Sequence, residues 1–437
     1  MLMEKGNDTG VSRGEFWVIM VCAVLMSALM LVATAMSPMQ FQGFDTFTYH
    51  DAMRNWSHWA MDPMRVPVYP LFMRGVEVLC SRWHLSLWIV LAQNVVFLFS
   101  VAPFLWLARR VAGPGRLSFW LTMCYAAFPC MLYWNDRVMT ESLAIVGTVL
   151  LLSSVVKAHD TGRVRHAVVA TVVLVLLLFM RPASLFLLPV VAVAWLLMAW
   201  KRPQARRVAA WGVGGVVAAV LMLMGYMVEF HRHYGVITTS YVGRLNTYDN
   251  LRRARLVNVE AIGNAELRAL VASGIAQGDT LRNIQEPWTI IYRWGPQVMD
   301  DIIASSLRGH YLDYACALSH HVVDAAREPM FAFYELSDDG WIARHVLPPF
   351  WLLYVLVAAH LVATAIVWWR GRQGVGWWLY LWLTMVGFSA LVTILVGAQD
   401  DYCRLVFPFM PAYLLMAAQL VACWKRNKIF GELAEKQ

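Results

Sequence analysis

Carboxylates and an arginine lie close together in the polar segment 43–72, which follows the first long apolar run of the chain. Asp45 and Asp51 are six residues apart, and Arg65 precedes a turn bracketed by two prolines. A carboxylate can orient or deprotonate an attacking hydroxyl, and an arginine fork binds phosphate through two hydrogen bonds. Since the segment is too polar to enter a bilayer, we expect it to be a functional loop.

The same mixture of charges recurs in three short segments further along the chain. Their charged residues are Asp136, Arg137 and Glu141 in the first, Arg181 in the second, and Asp400, Asp401 and Arg404 in the third. Charge at or near membrane depth is costly and by default indicates a functional site. We therefore expect these residues to share one cavity with the 43–72 loop.

This combination of groups suits the transfer of a sugar from a lipid phosphate to a hydroxyl. The acceptor oxygen would attack the anomeric carbon while a base takes its proton and arginines stabilise the departing phosphate. A serine hydrolase would need a nucleophile elbow and an NTPase a P-loop, and the sequence contains neither. His320 and His321 lack partner ligands at metal spacing. The residues therefore favour transfer over hydrolysis.

The composition indicates a membrane protein with many spans. Of 437 residues, 59% are hydrophobic and only 15% are charged, against about 25% charged residues in soluble domains. Lys and Arg exceed Asp and Glu by 36 to 28. In a membrane protein such an excess belongs first to cytoplasmic loops, so we predict contact with membrane lipids and no binding of nucleic acid.

Ten apolar runs approach the roughly 20 residues that a membrane-spanning helix needs. They cover residues 16–36, 87–107, 118–135, 142–157, 167–180, 183–200, 208–230, 347–369, 376–397 and 405–424. Lys and Arg concentrate in the segments on the side of both termini, whereas the short turns on the other side hold only Arg137, Arg181 and Arg404. The positive-inside rule therefore predicts that both termini are cytoplasmic. The first run is long enough to span and shows no cleavage site of a signal peptide.

Two segments on the outer side are long, and both predict helices. In the loop 37–86, Tyr49, Met53, Trp56 and Ala60 have helical spacing, and a second apolar patch follows. Both patches are typical of helices at the membrane interface.

The other long segment, 231–345, has helical periodicity over 296–327 and predicts a small, mostly helical outer subdomain. We accordingly divide the chain into an N-terminal transmembrane module (1–230), the 231–345 subdomain and C-terminal transmembrane helices (346–437).

Two motifs stand out in the first outer loop. Asp45-Thr46-Phe47-Thr48-Tyr49 runs into the first interfacial helix, and Arg65-Val66-Pro67-Val68-Tyr69-Pro70 follows. They resemble the D-E-x-x-Y-like motif and the basic, proline-rich turn of the GT-C superfamily of lipid-phosphate-sugar-dependent glycosyltransferases. Within it, the resemblance is to the branch of the protein O-mannosyltransferases and the lipid A aminoarabinose transferase.

Three further matches extend the resemblance over most of the apolar region. Arg137 and Glu141 match an arginine followed by an acidic residue at the start of a helix, and Arg181 lies in an arginine-proline pair. Arg404 begins an R-x-x-x-P-x-x-P pattern before the last span. Thr46 stands where the family usually has a second acid, which argues against a DxD-like metal site. The resemblance therefore implies no firm cofactor, although it leaves room for a divalent cation.

The resemblance implies a GT-C fold in a bacterial inner membrane, with the active site on the periplasmic face. The donor would be a polyprenyl-phosphate sugar, the acceptor a glycan, lipid or protein, and the reaction a single inverting displacement. Catalytic candidates are Asp45, in the place of the family's catalytic carboxylate, Glu141 and Asp51. Substrate-binding candidates are Tyr49, Arg65, Tyr69, Asp136, Arg137, Arg181 and Arg404.

Structural roles and other functions stay open as alternatives. Asp45 could cap the following helix, Arg65 could extend to lipid headgroups, and Glu141 could pair with Arg137. Asp51 could be a solvated, ion-pairing residue. An O-antigen ligase or polymerase would use pyrophosphate-linked glycans. A lipid-linked sugar transporter or flippase would favour polar residues near the membrane midplane.

Overall fold

The structure of the chain is a computed structural model, which describes residues 13–37, 40–43, 45–80, 83–277, 285–331, 348–369, 376–397 and 402–434. These residues are almost entirely helical. No β-strand occurs among them, and Pro329 and Pro349 form an isolated bridge. The prediction of an all-α protein is confirmed.

The described residues up to 234 form ten α-helices. They are α1 (Arg13–Met36), α2 (Thr46–Ser57), α3 (Val68–Leu79), α4 (Leu85–Ala112), α5 (Arg116–Ala127), α6 (Pro129–Leu132), α7 (Glu141–Thr161), α8 (Val164–Leu178), α9 (Leu187–Lys201) and α10 (Arg206–Tyr234). Single 3-10 turns at Tyr133–Asp136, Pro182–Phe186 and Pro203–Ala205 connect some of them.

The later described residues continue the helical pattern. They form α11 (Val242–Arg253), α12 (Ala265–Gln277), α13 (Gln285–Trp294), α14 (Pro296–Leu307), α15 (Tyr311–Arg327), α16 (Trp351–Trp369), α17 (Gly376–Val396), α18 (Tyr402–Val406) and α19 (Met410–Ala434). The predicted helices of the first long loop correspond to α2 and α3, and those predicted over 296–327 correspond to α14 and α15.

Eight of the described helical segments are long and apolar enough to cross a membrane. They are α1, α4, α7, α16 and α17, together with Pro182–Lys201, Pro203–Tyr234 and Tyr402–Trp424, which each include a short adjoining turn or helix. The chain is therefore a multi-pass membrane protein.

The remaining two predicted spans differ from the expectation of ten unbroken helices. The run 118–135 is bent by 47° between α5 and the segment Pro129–Asp136. Phe128 has an extended backbone at the bend, because a proline disfavours the helical conformation of the residue before it. The run 167–180 overlaps α8 (Val164–Leu178), whose 15 residues fall short of the roughly 20 that a span needs. The described residues thus hold eight spans, or nine if the bent pair is one.

Helix α7 is the centre of the apolar core. In the most apolar stretch of α7, 89% of the residues are buried inside the protein, against 17% in the corresponding stretch of α1. It packs against α4 and α8, α8 and α9 pack against α10, and α19 closes the group by contacting α4 and α7. The first residue of α7 is Glu141, so the most buried helix of the bundle begins with a carboxylate.

Several connections meet at the end of the bundle where α7 begins, which we call the loop face. The backbone N–H of Val68, at the start of α3, donates to the carbonyl of Phe179, 2.9 Å away. The N–H of Val138 donates to the carbonyl of Phe41, 3.0 Å away. These bonds fix the first loop against the turns that precede α7 and α9.

A second, smaller hydrophobic cluster joins α11–α14 to the loop face. Its buried members include Phe230 from α10, Tyr248 from α11, Met299 from α14 and Met64 from the first loop. Asn250 also donates to the carbonyl of Gly397, beyond α17. The α11–α15 region is therefore packed directly onto the loop that carries Asp45 and Arg65.

Close packing of α9 on α10 requires a residue without a side chain at Gly212, and a substitution there tests this requirement. A Cβ at Gly212 would overlap the indole of the buried Trp195, whereas a Cβ at Gly214 would meet nothing within 4 Å. We expect Gly212→Ala to lower the free energy of unfolding by about 1–3 kcal/mol through overpacking.

Gly214→Ala is the matched control, since it has the same gain in helix propensity and no overlap. Thermal unfolding of the two purified variants measures the difference. Equal midpoints would show that Trp195 does not set the α9–α10 distance.

Candidate active site

Asp45 lies between two arginines that come from distant parts of the chain. Its Oδ1 is 2.8 Å from Nη2 of Arg65, and its Oδ2 accepts a hydrogen bond from Nη2 of Arg404. Although Asp45 is the N-cap residue of α2, its side chain makes no capping hydrogen bond. The carboxylate is thus directed to the arginines and does not serve the helix end.

Glu141 joins Arg404 to a third arginine. Its Oε1 accepts hydrogen bonds from Nε of Arg404 at 2.7 Å and from Nη1 of Arg181 at 3.1 Å. Nη2 of Arg181 in turn donates to the backbone carbonyl of Arg404, 3.1 Å away. We call the five residues Arg65, Asp45, Arg404, Glu141 and Arg181 the ionic chain.

The ionic chain brings together five candidates predicted from four separate segments, and it carries an excess of one positive charge. The exposed fraction of the side chain differs among its members. The side chain of Asp45 is 25% exposed and those of Arg65 and Arg404 are 12% exposed, whereas Glu141 is fully buried. A bound molecule can therefore reach Asp45, Arg65 and Arg404, while Glu141 acts on it only through the arginines that it holds.

The arginines also set the charge state of Asp45. Burial on its own raises the pKa of a carboxyl, but Arg404 and Arg65 outweigh burial and hold the pKa of Asp45 below its usual range. At neutral pH Asp45 is therefore an ion. With both oxygens engaged, it is a weak base until an anion draws the guanidinium groups away.

Arg65 is positioned by its neighbours in the first loop. Its Nε donates to Oγ1 of Thr48 at 2.8 Å, and its Nη1 donates to the hydroxyl of Tyr49 at 3.3 Å. Its guanidinium lies 4.3 Å from the centre of the Tyr49 ring, a cation–π contact. Tyr49, a predicted substrate-binding residue, thus contacts the ionic chain directly.

The turn before Arg65 is held by the buried Asp62. Its Oδ1 accepts from the backbone N–H groups of Met64 and Arg65, at 2.8 and 2.7 Å, and its Oδ2 accepts from the side chain of Asn55 at 2.7 Å. An aspartate followed by a proline and two N–H donors is a local turn signal, so the turn before Arg65 was predictable from the sequence.

The structure explains why position 46 holds a threonine where the D-E-x-x-Y-like motif has an acidic residue. Its Oγ1 accepts from the N–H of Gly43 at 2.7 Å and donates to the carbonyl of Val138 at 3.2 Å. A carboxylate at this buried position could not donate to that carbonyl. Thr46 therefore ties the first loop to the turn before α7.

Tyr69 lies behind the site and does not line it. It is fully buried, contacts the Tyr49 ring edge-on at 4.9 Å and donates to Oε1 of Gln93 at 2.6 Å. Gln93 Nε2 donates to the carbonyls of Asn135 at 3.0 Å and Arg137 at 2.8 Å. Sequence reasoning missed Gln93, although a polar residue inside an apolar span was an available signal.

Asp136 and Arg137 fix the turn before α7. Asp136 accepts from Nδ2 of Asn94 in α4 at 2.9 Å. Arg137 donates to the carbonyl of Gln40 at 2.7 Å, and its guanidinium lies 4.7 Å from the ring centre of Tyr133. Both side chains are buried. The salt bridges of Glu141 to Arg181 and Arg404 take the place of the Glu141–Arg137 pair that the sequence suggested.

Asp51 is separate from the ionic chain. Its carboxylate is 65% exposed and lies 3.5 Å from Arg54 on the surface of α2. It lines a cavity next to the ionic chain. Asp400 and Asp401, which we expected in the same cluster as Arg404, lie outside the described residues.

The described residues contain no group of three His, Cys, Asp or Glu side chains arranged to hold a metal ion. Both oxygens of Asp45 are bound to guanidinium groups. The positive charge in this part of the site is therefore supplied by arginine.

Similar solved structures include those of oligosaccharyltransferase from the archaeon Archaeoglobus fulgidus. Its oligosaccharyltransferase in the apo form has a TM-score of 0.52 and 13% identity, covering 97% of this chain and 52% of that one. The oligosaccharyltransferase AglB from the same archaeon, in complex with an inhibitory peptide and a dolichol-phosphate, has a TM-score of 0.50 and 12% identity, covering 97% and 52%. A form tethered to an acceptor peptide has a TM-score of 0.51 and 12% identity, covering 93% and 49%.

The chain has the GT-C fold. It spans about half the length of these oligosaccharyltransferase chains. No protein-family model and no curated protein sequence matches it. The GT-C fold that the motifs predicted is confirmed.

The buried Gln93 generates a test of how the site is supported. Gln93→Met keeps the side-chain length but removes its bonds to two carbonyls and to Tyr69. Each buried polar group left unpaired costs about 1–3 kcal/mol, so we expect a lower unfolding midpoint.

Val95→Met is the matched control, because residue 95 lies on the same helix and is 52% exposed. Thermal unfolding in detergent or nanodiscs gives the readout. Identical midpoints for both variants would contradict a supporting role for Gln93.

Proposed function

We propose that this chain is a membrane glycosyltransferase that moves a sugar from a polyprenyl-phosphate donor to an acceptor hydroxyl. The observation that carries the proposal is the ionic chain, in which two arginines hold the one carboxylate that a bound molecule can reach. The donor phosphate binds at Arg65 and Arg404, and Arg181 reinforces that site. The reaction is a single displacement that inverts the anomeric carbon.

Phosphate binding follows from the excess positive charge of the ionic chain. Arginine is less strongly hydrated than lysine and presents several donors in a fixed fork. Arg65 and Arg404 therefore exchange contacts with Asp45 for contacts with phosphate oxygens at a low desolvation cost. Glu141 keeps Arg404 and Arg181 in place during this exchange, because it is fully buried and bonded to both.

The exchange of partners activates Asp45. When phosphate oxygens draw the guanidinium groups away, the pKa of Asp45 rises toward its usual range and the carboxylate becomes available as a base. Asp45 then accepts the proton of the acceptor hydroxyl as its oxygen bonds to the anomeric carbon. The bond from that carbon to the phosphate oxygen breaks, and its electron pair leaves with the polyprenyl phosphate.

The solved neighbours support a lipid phosphate as the ligand of this fold. One of them is the archaeal oligosaccharyltransferase in complex with a dolichol-phosphate. The motifs that begin at Asp45 and Arg65 further support the branch of the protein O-mannosyltransferases and the lipid A aminoarabinose transferase, and hence a monophosphate donor. We assign the loop face to the periplasmic side of a bacterial inner membrane and both termini to the cytoplasm, as the positive-inside rule predicts.

Asp45→Asn tests the catalytic assignment. Loss of a general base slows transfer by about 10²–10⁴-fold, so we expect transfer of a labelled sugar from a panel of polyprenyl-phosphate donors to fall by that amount. Because the change removes one negative charge beside two arginines, we also expect the affinity for polyprenyl phosphate itself to be maintained or increased.

Asp160→Asn is the control, since Asp160 is bonded to Arg110 and His159 near the other end of α7. It is expected to retain wild-type transfer. Wild-type transfer by a folded Asp45→Asn protein, or loss of lipid-phosphate binding in it, would overturn the assignment.

A further inference from the structure

A cavity of about 830 Å³ lies between α2 and α13 on the loop face. This volume is within the range of small-ligand sites, roughly 300–1,000 Å³. Thr48 and Asp51 of α2 form one wall, and Trp288 and Tyr292 of α13 form the opposite one. The mechanism described above assigns no ligand to this space.

The cavity adjoins the ionic chain at Thr48. Thr48 lines the cavity, accepts from Nε of Arg65 at 2.8 Å and donates to the backbone carbonyl of Asp45 at 2.8 Å. A molecule in the cavity therefore lies next to the residues that would hold the donor phosphate. This is where an acceptor must be placed for its hydroxyl to reach the reacting carbon.

The α13 wall presents an aromatic surface. The rings of Trp288 and Tyr292 are stacked, with centres 6.1 Å apart and planes inclined by 17°. Tyr292 is 69% exposed, and Phe47 on the α2 side is 63% exposed. Exposed rings that line one cavity offer flat apolar contact area together with polar edges.

The cavity walls carry carboxylates, which accept hydrogen bonds from hydroxyl or amino groups of a ligand. Asp62 is buried and already accepts three hydrogen bonds, whereas Asp51 is 65% exposed and lies 3.5 Å from Arg54. Among the described residues, the lining contains one cation, Arg293, which is 2.7 Å from Glu266. An anionic ligand would meet two carboxylates and a cation that is already paired.

We propose that this cavity binds a saccharide, uncharged or carrying an amino group, as the acceptor of the transfer reaction. Tyr292 and Trp288 stack on the apolar face of a sugar ring, and Asp51 accepts hydrogen bonds from its hydroxyl or amino groups. This inference rests on the proposed function, because the saccharide is the acceptor for the same site. It gives Asp51 a role in acceptor binding in place of catalysis.

A saccharide fits these walls better than a peptide does. Extended peptides are commonly held by backbone hydrogen bonds to a strand edge, but both walls are helices whose backbone groups bond within the helix. What the walls offer is side-chain carboxylate and aromatic rings. Peptide binding is therefore an outcome that would contradict the proposal.

The test uses the full-length protein in nanodiscs and saturation-transfer NMR. The probes are neutral disaccharides (cellobiose, maltose and mannobiose), the disaccharide of glucosamine, a uronic-acid disaccharide and short Ser/Thr peptides. We expect binding of one or more neutral or amino disaccharides. We expect Tyr292→Ala and Asp51→Asn each to weaken that binding by about tenfold.

Matched controls come from α15, which does not line the cavity. Tyr311 is 67% exposed and Asp313 is 62% exposed, so Tyr311→Ala and Asp313→Asn change equally exposed side chains elsewhere. Both are expected to bind the disaccharides as the wild type does. Binding of peptides or the uronic acid alone, binding of no saccharide, or equal binding by Tyr292→Ala would overturn the proposal.

Failure of this inference and failure of the proposed function are distinguishable. If the saccharides do not bind while Asp45→Asn abolishes transfer, the cavity assignment fails and the transferase assignment stands. If saccharide binding depends on Tyr292 while Asp45→Asn transfers normally, the catalytic assignment fails and the cavity stands.

Discussion

The salt bridges that join Asp45, Arg404 and Glu141 are the constraint on which the loop face depends. Each charge taken from water costs several kcal/mol unless opposite charges and hydrogen bonds compensate it. Arg181 and Glu141 are almost completely buried, so their partners must reach the same point. The first loop, the start of α7, the turn before α9 and α18 therefore have to converge in the folded protein. A fold with any of these segments displaced would leave a buried charge unpaired.

The same arrangement supplies the positive charge of the proposed phosphate site. Three guanidinium groups share two carboxylates, so the resting site is neutralised only in part. Asp45 pairs with Arg65 and Arg404, which could bind a phosphate in its place. Glu141 would keep its salt bridges to Arg404 and Arg181 during this exchange. The cavity beside Thr48 adds a second compartment with carboxylates and aromatic rings. The proposed phosphate and saccharide sites then lie side by side, as the transfer of a sugar from a lipid phosphate to an acceptor hydroxyl requires.

The sequence predicted the members of the ionic chain because charges are rare in apolar chains and because Asp45, Arg65 and Arg404 lie in recognisable motifs.

The sequence did not show how these charges pair. Arg137 lies four residues before Glu141, yet the salt bridges of Glu141 reach Arg181 and Arg404, which approach only through the packing of α7, α8 and α19. In the sequence, Tyr69 and Asp136 were candidates for substrate binding like the members of the ionic chain. Only their burial in the structure shows that they support the site and do not line it. The cavity is lined by residues of α2 and α13 that lie more than two hundred positions apart in the sequence, so neither helix alone indicated it. Pro129 was visible as a helix breaker, but the length of the apolar run concealed the bend.

The most direct test of the central claim is a structure of the protein in nanodiscs with a bound polyprenyl phosphate, determined by electron cryomicroscopy. The account predicts phosphate oxygens within hydrogen-bonding distance, about 2.7–2.9 Å, of Arg65 and Arg404. Asp45 would then be released from at least one of its two salt bridges, and Glu141 would still hold Arg181. A phosphate bound elsewhere, with both arginines still on Asp45, would contradict it.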